Sequence, residues 1–108
     1  MSSTTVTRGN SHETFYIGPS LTPVSVASYT SAGQTFTIAG FQTSDIVSVV
    51  GLQGAQTAGI IIGECDVLTA GILTVQFANT TAGAVTPAAG TYVFQVTRVE
   101  GPLPTNAV

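Results

Sequence analysis

His12 is the only histidine and Cys65 the only cysteine of the chain. A nucleophile, histidine and carboxylate triad needs the imidazole within hydrogen-bond reach of the nucleophile. His12 lies in a loose polar stretch near the N-terminus, where such geometry is hardest to hold. A zinc site needs about four nitrogen or sulfur ligands, and His12 with Cys65 cannot supply them. Cys65 falls inside an apolar run and reads as a small core residue. Glu64 and Asp66, spaced i and i+2, point to one face of a strand with Cys65 and Val67 on the other. A glycosidase pair sits across a cleft, roughly 5 to 9 Å apart, and two acids on one strand face form no cleft. Calcium wants ~6 to 8 oxygens. The plain reading of Glu64 and Asp66 is a solvated polar face; an ion bridging a subunit contact is the alternative. Asn79-Thr80-Thr81 fits a glycosylation sequon, but without export it reads as a turn. No glycine-rich phosphate loop is present. These residues argue against an enzyme, and no cofactor or metal is expected.

The elements that hold them come from an unusual composition. The chain has 108 residues, 44% of them hydrophobic, and only 6% charged, against about 25% in an ordinary soluble domain. Lysine is absent; Arg8 and Arg98 are the only cations. Soluble proteins usually keep a charged surface. Here Ser, Thr, Gln, Asn and Gly must form it, either as a plain polar β surface or as a surface that lies against other protein, where charge is costly to desolvate. The net charge of −3 with no basic run disfavours nucleic acid as a partner. No apolar run of about 18 residues offers a membrane span, so no membrane partner is expected. Met1-Ser2-Ser3-Thr4-Thr5 lacks the cationic start of a signal peptide, which points to synthesis in a cytoplasm without export.

The length suits one domain. Gln34 to Ala39 alternates with Phe36 and Ile38 inward, and Phe41 is expected to tuck under the following loop. Ile46 to Val50 is β-branched and nearly continuous, suggesting cover on both faces. Leu73, Val75 and Phe77 alternate inward, as do Tyr92, Phe94 and Val96. Val24 to Tyr29 reads as a further strand with Val24 and Val26 on one face, and residues 30–33 as a turn. No window carries helical periodicity. Six or seven antiparallel strands spaced by Gly, Ser, Thr and Asn turns predict an all-β domain, a small β-sandwich or Greek-key barrel. The organisation is an extended N-terminal arm over 1–18, the β domain over 19–101 and a C-terminal tail over 102–108.

Three places could meet a partner. Phe15-Tyr16-Ile17 closes the polar arm as a bulky anchor, either a first short strand on its own domain or a dock on a neighbour. Extended, residues 1–18 would reach roughly 60 Å, several times the ~13 Å radius of gyration of such a domain. The loop over 51–58, with Gln53 and Gln56, has the composition of a mobile or partner-ordered segment. The most apolar run, Gly59 to Leu68, continues through a turn at Gly71 into Ile72 to Ala78 as the central hairpin. Its Ile60-Ile61-Ile62 carries apolar side chains on both faces, whereas one face of a lone sandwich should be wet. Either the loop over 51–58 or another subunit is expected to cover Ile61. Such a strand left bare would invite aggregation.

Taken in order, Asp45-Ile46-Val47-Ser48-Val49, Thr57-Ala58-Gly59-Ile60-Ile61-Ile62-Gly63, Leu73-Thr74-Val75-Gln76-Phe77-Ala78-Asn79-Thr80-Thr81-Ala82-Gly83 and Thr86-Pro87-Ala88-Ala89-Gly90-Thr91-Tyr92 resemble a series common in small β-rich structural proteins of tailed bacteriophage virions. The likeness covers about residues 34–99. It departs at Ala88, where a second proline is more usual, and at Ala78, where a bulkier residue is. The matching residues are strand and turn positions and carry no chemistry. The resemblance implies a head decoration or cement protein that binds the outer capsid surface of the virion. Its partners would be the major capsid protein and itself, often as a homotrimer. A phage tail or fibre adaptor, or a receptor-binding tip, is the alternative within the virion. A glycan-binding module is a third class, with only three Tyr and no Trp to build it.

Overall fold

The computed structural model describes residues 12–99. In chain order the strands are β1 (His12–Ile17), β2 (Ser20–Leu21), β3 (Ser31–Thr37), β4 (Ile46–Gln53), β5 (Ile60–Thr69), β6 (Ile72–Asn79) and β7 (Gly90–Val99). No helix occurs among the described residues. The strands follow the period-2 apolar patterns that specify them. Leu73, Val75 and Phe77 of β6 and Tyr92, Phe94 and Val96 of β7 are fully buried, while the residues between them face outward.

All pairings are antiparallel, in the order β1-β7-β4-β5-β6-β3, with β2 continuing the β1 edge along β7. The run β7-β4-β5-β6 is a Greek key: three successive strands, with the fourth returning beside the first. The expected all-β, Greek-key chain is therefore observed, built on one open hydrogen-bonded sheet. Its weak rung is β4–β5, where only Val47 and Cys65 are in register. The sheet folds over there, so β6 and β7, not neighbours in the ladder, meet face to face in the core. The Phe77 and Tyr92 rings pack edge to face at 6.2 Å, and Tyr92 stacks on Phe94 at 6.4 Å. Aromatic pairs at these separations add to the ~150–250 Å² that each such side chain buries.

Buried Asn79 closes one end of the core. Its Nδ2 donates to the Val26 and Gly83 carbonyls at 3.0 and 2.8 Å, and its Oδ1 accepts from Thr81 N and Oγ1 at 2.9 and 2.7 Å. A buried amide so fully partnered ties distant segments together at little desolvation cost. At the β5–β6 turn, Gly71 takes φ 79°, a conformation suited to glycine. Gly59 (φ 87°) enters β5 beneath Thr81, whose Cγ2 would collide with any Cβ there.

Several local expectations are corrected. Of the two readings of Phe15-Tyr16-Ile17, the first short strand is the one observed: residues 12–17 form β1 paired with β7, so the β domain takes in the end of the segment expected as an arm, while residues 1–11 and the tail lie outside the described residues. Val24 to Tyr29 is not a strand. Val26 makes a single bridge to Val85, and Val24 is exposed while Val26 is buried. The amide of Gln34 takes the place of strand pairing here, accepting from Val24 N and donating to Val24 O, both at 2.8 Å. Residues 31–33, expected as a turn, open β3 instead. Strand β4 runs on past Gly51 to Gln53 by way of a bulge between Val49 and Gly51. Its outer face is bare: Ile46 and Val50 are about half exposed. Phe41 is buried as expected.

Candidate interaction surface

Three of the charged residues, Glu13, Asp45 and Arg98, meet where β1, β7 and the start of β4 come together, and Glu64 and Asp66 stand on β5. Asp45, just before β4, has a side chain with no solvent exposure. It accepts from Arg98 Nε on Oδ1 at 2.8 Å and from Arg98 Nη2 on Oδ2 at 2.7 Å. Gln42 N also donates to Oδ2, at 2.9 Å. Arg98 Nη2 reaches the Gly40 carbonyl at 2.9 Å, and its guanidinium carbon lies 5.4 Å from the centre of the Phe15 ring. This bidentate clamp fixes the loop between β3 and β4 to the end of β7. The hydrogen bonds from Arg98 hold the Asp45 carboxyl below its ordinary value, against the opposing effect of burial; the Gln42 N–H and the Arg98 charge add to the lowering. The polar corner at Asp45 was visible in the sequence, but its partner lies 53 residues away. The one available signal was that Arg98 is the only cation among the described residues.

With Glu13 and Arg98 in register on the inner-facing parity of β1 and β7, the outward parity carries no charge. Two rows cross it. Thr14 pairs with Thr97, and Thr97 with Ile46; Tyr16 pairs with Gln95, and Gln95 with Ser48. Thr14 and Thr97 share a hydrogen bond, Oγ to Oγ 3.3 Å. Val93 continues the face beside Gly51. Tyr16 is 65% exposed, Ile46 49% and, at the bulge, Val50 51%. The outer face of β1-β7-β4 is thus a neutral sheet of hydroxyl, amide and apolar groups.

No known family model, curated protein or solved structure matches this chain.

The residues singled out from the sequence divide accordingly. Tyr16 stands on the neutral face. Phe15 and Ile17 turn inward, half-buried against the core, and line a groove of ≈ 170 Å³ with Ile38, Phe41 and Arg98. Gln53 is exposed at the end of β4. Gln56, by contrast, is a structural plug. Its Nε2 donates to the Tyr92 hydroxyl at 3.1 Å, and its Oε1 accepts from Thr57 N at 2.9 Å and Ala88 N at 2.7 Å. The Tyr92 hydroxyl in turn donates to the Ala88 carbonyl at 2.6 Å. The loop over 54–59 is held by this network, and it does not cover Ile61, which is 57% exposed on the outer face of β5.

Glu64 and Asp66 lie on that same outer side, and Cys65 and Val67 are buried beneath. One oxygen of Asp66, Oδ1, is buried without a hydrogen-bond partner. Among the described residues no group of three or more His, Cys, Asp and Glu side chains gathers to hold a metal. Burial pushes the Cys65 thiol up to about 11; Asp66 and Glu64 push the same way, against a hydrogen bond from the Val49 backbone.

Proposed function

We propose that the protein is a structural component of a tailed-phage virion, a decoration or cement protein that binds the outside of the head and reinforces contacts between major capsid subunits. The observation that carries this reading is the neutral outer face of β1-β7-β4. A charge-free patch with an exposed tyrosine and isoleucine desolvates cheaply, and interface centres are depleted of charge and enriched in aromatics. Copies joined to one another would hold a repeating lattice through avidity, even where one copy binds poorly. The resemblance of residues 34–99 to small phage structural proteins supports the same reading, with synthesis in the host cytoplasm before assembly.

The test is co-sedimentation of the full chain with phage heads that lack it. Wild-type protein should pellet with heads at copy numbers set by the lattice. Gln95→Lys places a charge in the middle of the neutral face and should cut occupancy at least tenfold while leaving the unfolding midpoint in place. Undiminished occupancy of a folded Gln95→Lys protein would remove this face from the proposal. A handful of copies per particle, confined to the tail, would replace the decoration role with the tail-adaptor role.

A further inference from the structure

The sheet is open, and among the described residues nothing covers its β3 edge. Register and two backbone bonds fix which of its groups are free. Asn79 N donates to Thr30 O and Ile38 N to Gly71 O, both at 2.9 Å, and the β3–β6 register is continuous from Ser31–Ala78 to Thr37–Ile72. In an antiparallel ladder hydrogen-bonded and non-bonded pairs alternate. Residues 30, 32, 34, 36 and 38 therefore turn their backbone groups toward β6 and the β5–β6 turn. Ser31, Gly33, Thr35 and Thr37 turn theirs to the open edge, and all four residues are exposed. Edge strands are normally blunted by charge, proline or a bulge. Strand β3 has no charged residue, no proline and no break in register.

We infer that β3 pairs with β3 of a second copy of this chain, antiparallel about a two-fold axis through Gln34. In that register Ser31 faces Thr37 of the second copy and Gly33 faces Thr35, and the reverse. All of the outward donors and acceptors are then used, in about eight hydrogen bonds. A shift of two residues leaves an end pair unmade, and a shift of one turns the free groups away from each other. The occupant is argued from charge and fit. A strand with no charge meets its own copy without like-charge repulsion, the usual obstacle to self-pairing, and at the opposed positions glycine and hydroxyl side chains meet without crowding. The result is a continuous sheet β5-β6-β3 joined to β3-β6-β5 of the mate. This pairing stands apart from particle binding, because it joins copies in free solution and uses a different part of the sheet from the neutral face.

The test uses the full chain, with mass measured by sedimentation or light scattering at tens of micromolar and amide exchange followed residue by residue. A dimer is expected, with the amides of Ser31, Gly33, Thr35 and Thr37 protected. Thr35→Pro removes one outward N–H and none that points to β6, and proline is tolerated on edge strands; it should give a folded monomer in which the amides of Ser31, Gly33 and Thr37 exchange freely. Thr35→Lys should do the same where the proline variant does not fold. A wild-type monomer, a dimer in which those amides exchange freely, or a dimer that persists in folded Thr35→Pro or Thr35→Lys would each overturn the pairing. So would a dimer dispersed by Ile61→Lys but kept by Thr35→Lys, since that would place the contact on the sheet face.

Discussion

Replacing Arg98 by Met would break the Asp45 clamp and leave its cost readable. The substitution keeps an unbranched stem over Phe15 and removes the Nε and Nη2 bonds to Asp45 as well as the bond to the Gly40 carbonyl. The Asp45 carboxylate stays buried with the Gln42 N–H as its remaining partner. Stripping one partner from a buried ion pair costs ~3–5 kcal/mol. The Arg98 side chain is about a quarter exposed, so water can reach the clamp, and we take the lower figure, about 3 kcal/mol. With a urea slope of about 2 kcal/mol/M, the unfolding midpoint should fall by roughly 1.5 M. Asp45→Asn added to Arg98→Met removes the stranded charge and should recover about half of that loss, a strong non-additivity expected of groups in one network. Equilibrium urea unfolding of the two single variants and the double variant gives the cycle. A cost below about 0.5 kcal/mol for Arg98→Met, or a double variant whose loss equals the sum of the single ones, would refute the reasoning.

The acid limb of stability should follow the same pair. The folded-state pKa of Asp45 is lowered, so its contribution is complete above the unfolded value of ~3.9 and is lost as pH falls below that through the lowered value; Asp45→Asn should flatten this limb in urea midpoints measured from pH 6 to pH 2. Asn79→Ala removes the amide that binds Val26, Thr81 and Gly83. Because the Val26 and Gly83 carbonyls keep second donors, the expected cost is about 2–3 kcal/mol rather than the full penalty for orphaned groups, read by thermal or urea unfolding. Cys65, buried with its thiol pushed up to about 11, should resist alkylation at pH 8 in the native protein and react at once in denaturant; fast native labelling would mean that the β4–β5 junction opens readily. Tyr92→Phe removes the hydroxyl between Gln56 and Ala88 and should loosen the loop over 54–59, seen as faster amide exchange there with the core strands unchanged.

The parts of the fold that rest on side-chain period were legible in the sequence. Leu73-Val75-Phe77 and Tyr92-Phe94-Val96 fill the core because strict alternation leaves a strand one way to lie. What composition suggested about single segments was less dependable. Residues 31–33 look like a turn, yet Gly33 sits in β3 beside Gln76, whose side chain lies where a Cβ of residue 33 would go. Val24 to Tyr29 alternates, yet its pairing is taken up by the Gln34 and Asn79 side chains, which a period count does not register. The loop over 51–58 looked mobile because it is rich in Gly, Ala and Gln; Gln56 is ordered by Tyr92 and Ala88, 36 and 32 residues away. The interaction surface was half visible. The scarcity of charge and the bulky Tyr16 point to it, but Gln95, Ser48 and Ile46 join it only through strand register. The apolar run at Ile60-Ile61-Ile62 calls for cover over Ile61, and among the described residues Ile61 stands bare on the outer face of β5.

Imaging of phage heads reconstituted with the full chain would show whether the neutral face of β1-β7-β4 lies against a capsid, as proposed. The expected result is density at lattice-repeated positions on the outer head surface, with Tyr16, Gln95 and Ser48 turned toward the shell. Density confined to the tail, or on the head with that face toward solvent, would contradict it.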